Sequence, residues 1–426
     1  MNTRSYSEIA KGVKLLCIKS DKFKTNCIRI DFCLPITEQL AAQNVLSSFM
    51  GHTSKRYKTV KEFNSKVESL YGADFDSGIM CTGEYAKIRF AIEVPDDRFS
   101  LDGQSISEAA VDFLVDIISN PNAENGRFQE ENTAREIRFT LESIEAEKND
   151  KRSYALSRLR QLMCENEPYG IDRERLENDV RKLDSKALFE AYENMLKTAT
   201  IVITACGSLD GEMLKNKFAA FANGIADREI AKLESIFIEK AEETRYFKET
   251  MDITQAKLVM GLRTGMRNAD DNYFSYRVMT DIFGGGPYSR LFMNVREKMS
   301  LCYYCNARIV RDKGIIFIQS GIENQNYEKA KNEILNQLDI MKKGEFTDEE
   351  FDSSISALCD SFRGVEDSPA AVCTFYGSQA LDETLVSGKE YAGLIAGVTR
   401  RQVTECAKKV TVDSIYLLTG EEKGNE

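Results

Sequence analysis

The sequence predicts an α+β protein made of two related halves, and an internal repeat is the main reason. Segments that begin at Gly126 and Gly344 share one order: glycine, a charged residue, phenylalanine, an acidic stretch and a long helical pattern. Each segment continues through a second helical stretch to a β-rich apolar run, which ends at Gly207 or at Gly420. The two intervals are similar in length, so the repeat indicates a duplicated fold.

The beginnings of the two halves also match. A strand-like run starts at Cys27 (CIRIDFCLP) and another at Ala256 (AKLVMGLRTG), and each is followed by a helical pattern. Each half therefore reads as a strand–helix–strand layer followed by a pair of helices. The segment between them is charged and contains neither glycine nor proline, which is typical of a linker. The predicted division is residues 1–225, a linker at 226–250 and residues 251–426.

The composition restricts the class of protein. The chain has 426 residues, 42% of them hydrophobic and 29% charged, which predicts two or three soluble globular domains. A net charge of −11 disfavours binding to nucleic acid or to an anionic membrane surface. We find no apolar run near the roughly 18 residues that span a bilayer and no signal-peptide pattern. The prediction is a cytoplasmic protein whose eleven cysteines are mostly small buried side chains.

The single histidine, His52, limits the possible chemistry. Serine and cysteine hydrolase sites and histidine-rich zinc sites would all have to use this one imidazole. Any mechanism that needs two imidazoles is excluded for this chain alone. Because His52 follows Gly51 and precedes a basic run, it is predicted to lie in a surface loop.

The segment GGGPYSRLFMNVREKMSLCYYCNARI, residues 284–309, resembles the C-terminal signature of the M16 peptidases. In that pitrilysin-like and mitochondrial-processing-peptidase-like family, a glycine-rich bend precedes S-R-L-F, V-R-E-K and L-x-Y. The resemblance covers essentially the whole chain. It implies two homologous halves, each a mostly antiparallel sheet covered by helices on one face, as in the related LuxS-like metallohydrolases.

The zinc motif of the family is degenerate in this sequence. Active members carry H-x-x-E-H on a helix of the first half, with a distant glutamate as the third zinc ligand. The matching positions here are Asn44, Ser47 and Ser48, and Glu142 stands at the position of the third ligand. An amide and a hydroxyl are poor zinc ligands. The resemblance therefore implies that this chain binds no metal cofactor and is inactive on its own.

The second half retains the other functional residues of the family. The arginine of V-R-E-K and the following tyrosine, here Arg296 and Tyr303, reach over the active site in the family. A guanidinium can orient a peptide carbonyl, and a phenol can donate to a developing oxyanion.

The resemblance thus implies a non-catalytic subunit that complements a zinc-bearing H-x-x-E-H chain in cleaving peptides, with zinc in the partner. A homodimer of the isolated chain is left open. Among bacterial members the chain resembles the non-catalytic partner linked to 5-aminopentanol modification of elongation factor P.

Several alternatives stay open from the sequence. The chain could be a purely structural M16-like scaffold, or, ranked last, a hydrolase that uses a cysteine with His52. The glycines Gly284, Gly285 and Gly286 favour a tight bend over a phosphate cradle, since no P-loop lysine follows. Cys302 and Cys305 form a C-x-x-C in a strand pattern, where residues three apart are expected on opposite faces.

Overall fold

The computed structural model describes residues 3–267, 272–382 and 384–420. The chain forms two compact units, each assembled from three stretches of sequence. The first unit comprises Met1–Ile144, Asp172–Glu234 and Val365–Val386, and the second comprises Glu145–Ile171, Ser235–Gly364 and Ser387–Glu426. The sequence-based boundaries around a linker at 226–250 stay a prediction.

The first unit is built on a six-stranded sheet. The strands of this unit are β1 Thr3–Ala10, β2 Val13–Lys19, β3 Thr25–Pro35, β4 Asp74–Thr82, β5 Tyr85–Pro95, the short separate pair β6 Ala123–Glu124 and β7 Arg127–Phe128, and β8 Thr200–Gly207. The sheet order is β1-β2-β8-β3-β5-β4. Its neighbours are antiparallel except β2 and β8, which run parallel.

Fourteen α-helices lie within the described residues. They are α1 Leu40–Phe49, α2 Val60–Ser69, α3 Ile106–Ser119, α4 Glu130–Glu147, α5 Lys151–Met163, α6 Arg173–Arg181, α7 Ser185–Thr198, α8 Gly211–Asn223, α9 Tyr273–Gly284, α10 Tyr327–Lys343, α11 Asp348–Arg363, α12 Pro369–Gln379, α13 Gly388–Ala396 and α14 Arg400–Lys409. Side-chain caps begin many of them; for example, Thr347 and Glu350 form a reciprocal capping box at the start of α11.

The second unit repeats the sheet of the first. Its strands are β9 Arg245–Thr250, β10 Ala256–Arg263, β11 Cys302–Val310, β12 Ile315–Ile322 and β13 Thr411–Thr419. Their order, β9-β13-β10-β12-β11, matches β2-β8-β3-β5-β4 of the first unit. The parallel pair β9–β13 matches the parallel pair β2–β8, and the other pairs are antiparallel in both. The predicted duplication, and the mostly antiparallel sheets, are therefore confirmed.

Both faces of each sheet carry helices, which differs from the expectation of helices on one face. In the first unit the main core lies under α1, α3 and α7, while α12 packs Val372 and Tyr376 on the opposite face. In the second unit α9 and α14 lie over the main core, while α5 packs Leu159 and Met163 on the opposite face. The strand β3 is buried on both faces for this reason, and it shows no alternation of polar and apolar residues.

A buried ion cluster anchors the segment after α5 in the second unit. Glu167 accepts from Arg263 at 2.6 Å and pairs with Lys313 at 2.5 Å, and Arg263 also contacts Asp413 at 2.9 Å. All four side chains are at most 6% exposed. Buried charges are tolerated only when they are paired, and here each charged side chain has an oppositely charged partner. The four residues therefore form a structural cluster.

Candidate functional site

The helix α1 carries the degenerate zinc motif, and the polar atoms of the motif are already bonded. The Asn44 amide donates to the Leu40 carbonyl at 2.8 Å, and the Ser47 hydroxyl donates to the Asn44 carbonyl at 2.8 Å. The Ser48 hydroxyl donates to Glu136 of α4 at 2.5 Å. Asn44 and Ser48 are half-buried and Ser47 is buried. The motif side chains therefore stabilise the helix and its contact with α4.

Glu136 is the centre of a polar cluster, which we call the Glu136 cluster and which comprises Ser48, His52, Arg135 and Glu136. The Glu136 side chain is fully buried. Besides Ser48, its carboxylate contacts His52 Nδ1 at 3.1 Å and accepts from Arg135 Nε at 3.0 Å. His52 is thus not a free surface histidine, because its ring is tied to a buried carboxylate.

The electrostatics of the cluster keep Glu136 ionised. Burial alone would raise the pKa of this carboxyl, but hydrogen bonds from His52 and Ser48, with Arg135 beside them, lower the pKa below its ordinary value. The charge of this carboxylate is already balanced, and its oxygens are already bonded, by three protein side chains. The described residues contain no group of three histidine, cysteine or acidic side chains arranged to hold one. The residues at this position therefore do not fit zinc.

Glu142, the residue that the sequence assigns to the third-ligand position, lies elsewhere. Its side chain is 64% exposed and pairs only loosely with Arg138, at 3.8 Å. The carboxylate that reaches the motif helix is Glu136, which sequence reasoning missed. Burial in the structure distinguishes the two: Thr133, Glu136 and Ile144 are buried at helical spacing on α4, and Glu142 falls off that face.

A second candidate site lies in the second unit, at the π-helical segment Leu291–Lys298. Arg296 lies in the last turn of this segment. The Arg296 guanidinium lies 4.5 Å from the centre of the Phe292 ring and 3.6 Å from Glu297. The side chain is 41% exposed. Such π-turns are rare and occur frequently at functional sites, since they aim side chains that a regular helix would place elsewhere.

Tyr303 lies at an irregular position of β11 and lines a pocket together with Arg296. Ser300, just before β11, has a positive φ of 51°, and the register of β11 against β12 shifts between Cys302 and Tyr304. This β-bulge leaves Tyr303 59% exposed. Among the described residues, its hydroxyl has no hydrogen-bond partner.

The pocket, here called the Arg296 pocket, has a volume of about 380 Å³. Its lining comprises Arg296, Glu297, Ser300, Leu301, Cys302, Tyr303, Glu323 and Asn326. The structure thus brings together the two residues that the resemblance singled out, although they lie on different elements. Sequence reasoning missed the contribution of Glu323 and Asn326, which follow β12.

The three glycines before this segment serve close packing. A Cβ atom on Gly284 would lie 2.6 Å from the backbone nitrogen of Ala307, and one on Gly285 would lie 2.2 Å from an Asp281 carboxylate oxygen. Neither glycine, nor Gly286, has a positive φ. Gly284 allows the end of α9 to approach β11, the strand that carries Tyr303, while Gly285 leaves room for the Asp281 side chain.

The expectation for the C-x-x-C pair is wrong. Because the bulge at Tyr303 cancels one step of the strand alternation, Cys302 and Cys305 pack against the same core. The His52 ring contacts the Glu136 carboxylate, and within the described residues no hydrogen bond joins it to a cysteine.

The chain is similar in sequence and in structure to several known proteins. Residues 182–358 match a family model described as the peptidase M16 inactive domain. A Bacillus subtilis protein named "Probable inactive metalloprotease YmfF" is 26% identical over 96% of both chains. A crystal structure of a conserved protein from Enterococcus faecalis superimposes with a TM-score of 0.91 at 26% identity, covering 99% of this chain and 100% of the other.

A peptidase M16 inactive domain from Pseudomonas fluorescens superimposes with a TM-score of 0.79 at 17% identity, covering 99% of this chain and 100% of the other, and it supports the fold. Within the described residues, no helix combines the length and apolar composition that crossing a membrane requires. The sequence signature, the duplicated sheets and these matches agree. The chain thus matches the peptidase M16 inactive domain over residues 182–358, and along 96% of its length it is similar to a protein named as a probable inactive metalloprotease.

Proposed function

We propose that this chain is the non-catalytic subunit of a peptidase pair, in which a partner chain with an intact H-x-x-E-H motif holds zinc. In this pair, the Arg296 pocket supplies Arg296 and Tyr303 to the peptide substrate. The observation that carries the proposal is the pocket itself. Two irregular elements, a π-helical segment and a β-bulge, place a guanidinium and a phenol in the lining of one open cavity.

The availability of these two groups supports the proposal. The partners of Arg296 are an aromatic ring and an adjacent carboxylate at 3.6 Å, both near the surface. Such contacts contribute only about 0–1 kcal/mol each, so they compete weakly with a ligand. The Tyr303 phenol is free to donate within the described part of the chain. A peptide carbonyl can accept from both groups, and an oxyanion would accept more strongly.

The state of the Glu136 cluster supports the division of labour. Where active members of the family bind zinc, this chain has a saturated carboxylate and an amide turned to its own helix. Hydrolysis of a peptide then needs a nucleophile and a base from another chain. Neither the identity of the partner nor the link to elongation factor P is supported by an observation beyond the sequence, and both stay predictions.

The test is peptide cleavage by the assembled pair, with a co-encoded H-x-x-E-H chain as the partner. Arg296→Ala is expected to lower kcat by about 10²–10³-fold, the effect of removing one donor to a developing oxyanion. Tyr303→Phe is expected to lower it by about 10-fold, the equivalent of one hydrogen bond. Arg308→Ala is the matched control, because Arg308 is an exposed arginine of the same strand outside the pocket lining.

Assembly is measured separately by size-exclusion chromatography of each variant pair. Loss of activity in a pair that still assembles supports the proposal. Unchanged activity for Arg296→Ala and Tyr303→Phe in an assembled pair would establish the alternative, a scaffold with no part in catalysis. Cleavage and stoichiometric zinc in this chain alone would contradict both.

A further inference from the structure

Two thiols meet at the edge of the Arg296 pocket. Cys302 lines the pocket, while Cys305 is 4% exposed and lies in the core beneath it. In a regular strand these residues would be about 10 Å apart and on opposite faces, at 3.3 Å per residue. The bulge at Tyr303 brings both side chains to one face, where they pack against the same core.

The surroundings make the two thiols unequal. The hydrogen bond from Cys305, a further one from Ser320 and the charge of Arg296 lower the pKa of Cys302, although burial opposes them. The hydrogen bond to Cys302 and burial raise the pKa of Cys305 well above its ordinary value. An accessible thiol of lowered pKa beside a buried thiol of raised pKa is the arrangement of an attacking and a resolving cysteine.

Other cysteines of the chain lack this arrangement. Burial raises the pKa of Cys17 to about 11, and the pKa of Cys33 and Cys206 to about 12. Cys27, Cys206 and Cys373 lie together in the core of the first unit, and all three are buried. Cysteines therefore also cluster in the first unit, but Cys302 differs from these three because it lines a pocket.

We propose that Cys302 and Cys305 form a reversible dithiol–disulfide pair, and that the disulfide weakens peptide binding in the Arg296 pocket. The second half of the proposal rests on the proposed function. The disulfide would close a small ring that contains Tyr303, because this residue lies between the two cysteines. Shortening the sulfur–sulfur contact to about 2.05 Å would tighten the bulge and redirect the phenol.

A hydroperoxide is a sufficient oxidant for the step. The Cys302 thiolate attacks one oxygen of hydrogen peroxide, so that an S–O bond forms, the O–O bond breaks and the hydroxide takes up a proton to leave as water. The sulfur of Cys305 then attacks the Cys302 sulfur; the S–S bond forms, the S–O bond breaks, and a second water carries off the Cys305 proton. Two thiols lose two electrons in total, and one peroxide is reduced to two waters.

The first arm of the test detects the bond and needs neither peptide nor partner. Reduced full-length chain is treated with a small excess of hydrogen peroxide, denatured with a thiol-alkylating reagent and digested with trypsin. Cleavage after Lys298 and Arg308 leaves both cysteines in one peptide, residues 299–308. This peptide is expected to be unalkylated and lighter by two hydrogens, and to regain both thiols after reduction. The peptides that contain Cys206 and Cys373 are expected to be alkylated throughout.

If Cys302 and Cys305 are both alkylated after peroxide treatment, no disulfide has formed. The proposal is then overturned, whatever the result for peptide cleavage. Cys305→Ala is the matched variant, because it keeps the accessible thiol and removes the resolving one. It is expected to yield oxidised Cys302 without the two-hydrogen loss. Cys359→Ala, at a buried cysteine outside the pocket, is expected to form the disulfide like the unmodified chain.

The second arm measures the KM for peptide cleavage by the assembled pair, with this chain reduced or oxidised before mixing. A rise in KM of about 10-fold that dithiothreitol reverses, and that is absent in Cys305→Ala, is expected. An unchanged KM in a pair that loses activity with Arg296→Ala would overturn control of the pocket by the disulfide. If Arg296→Ala has no effect either, the proposed function fails, while the first arm decides the disulfide independently.

Discussion

The Glu136 cluster and the Arg296 pocket contain similar polar groups but differ in what those groups bind. In the cluster, Ser48, His52 and Arg135 all contact one buried carboxylate. In the pocket, Arg296 and Tyr303 are 41% and 59% exposed, and their contacts are few. The first set of groups stabilises the fold, whereas the second is available to a ligand. The motif positions thus remain polar without zinc ligands, because their side chains are hydrogen-bonded within α1 and to α4.

The second unit contains an equivalent of the Glu136 contact. Its helices α9 and α11 occupy the same places in the repeat as α1 and α4, and the Ser354 hydroxyl of α11 donates to Asp281 of α9 at 2.6 Å. The Tyr288 hydroxyl donates to the same carboxylate at 2.6 Å. In both units a carboxylate and a serine link these two helices, with the roles exchanged. The link is therefore a structural feature of the duplicated fold rather than a remnant of catalysis alone.

The largest effect is expected from returning imidazoles to the first unit. Asn44→His with Ser48→His places two histidines four residues apart on one helix face, at half-buried positions of which Ser48 contacts Glu136. Two imidazoles, a carboxylate and a water are a sufficient zinc set, so we expect about one zinc per chain by elemental analysis. The unmodified chain is expected to bind none.

The same double-histidine variant shows which of the two glutamates, Glu136 or Glu142, binds the zinc. Adding Glu136→Gln is expected to weaken zinc binding by at least about 10-fold, since even removal of outer hydrogen-bond partners has that effect. Adding Glu142→Gln, the matched control on the same helix, is expected to leave it unchanged. The reverse result would restore Glu142 as the third-ligand position and would contradict the geometry of α4.

An intermediate effect is expected when Glu136 alone is changed. Glu136→Gln keeps the shape of the side chain but removes the charge that Ser48, His52 and Arg135 share. We expect the free energy of unfolding near neutral pH to fall by about 1–3 kcal/mol, the usual effect of breaking a buried polar contact. Urea denaturation measures it, and Glu142→Gln is expected to change it by less than about 0.5 kcal/mol.

The pH dependence of this difference has a definite sign. The pKa of Glu136 is lower in the folded chain than in the unfolded chain, where glutamate titrates at about 4.3. Its stabilising contribution is therefore complete above about 4.3 and is lost as the pH falls through the lower folded pKa. The gap between the unmodified chain and Glu136→Gln should close in that acidic range. A gap that persisted there would mean that the hydrogen bonds of the carboxyl group, not its charge, hold the two helices together.

The repeat could be predicted from the sequence, and the signature also singled out two residues that line one pocket. The duplication follows from matched segments at Gly126 and Gly344, which became the equivalent helices α4 and α11. The pairing of Arg296 with Tyr303 followed from the signature alone. These features are local or repeated, so the order of residues along the chain is enough to reveal them.

The contacts that sequence reasoning missed depend on packing across elements. Glu136 meets Ser48 because α4 lies against α1, and neighbouring glutamates on an acidic helix look alike until burial distinguishes them. Cys302 and Cys305 share a face because one extra residue bulges from β11, and a register shift has no clear signal in a strand pattern. The helices on the second sheet faces were also missed, since their partners lie far away in sequence.

The smallest effect on stability is expected in the Arg296 pocket. Arg296→Ala and Tyr303→Phe should each change the free energy of unfolding by less than about 0.5 kcal/mol, because both side chains are exposed and weakly bonded. Tyr276→Phe is the matched control in the same unit: this tyrosine is buried and donates to the Thr264 carbonyl at 2.7 Å, so its loss should cost about 1 kcal/mol. Urea denaturation of the three variants compares them directly. If Tyr303→Phe proves as costly as Tyr276→Phe, the phenol belongs to the packing of the unit, and the pocket is not the available surface that its exposure indicates.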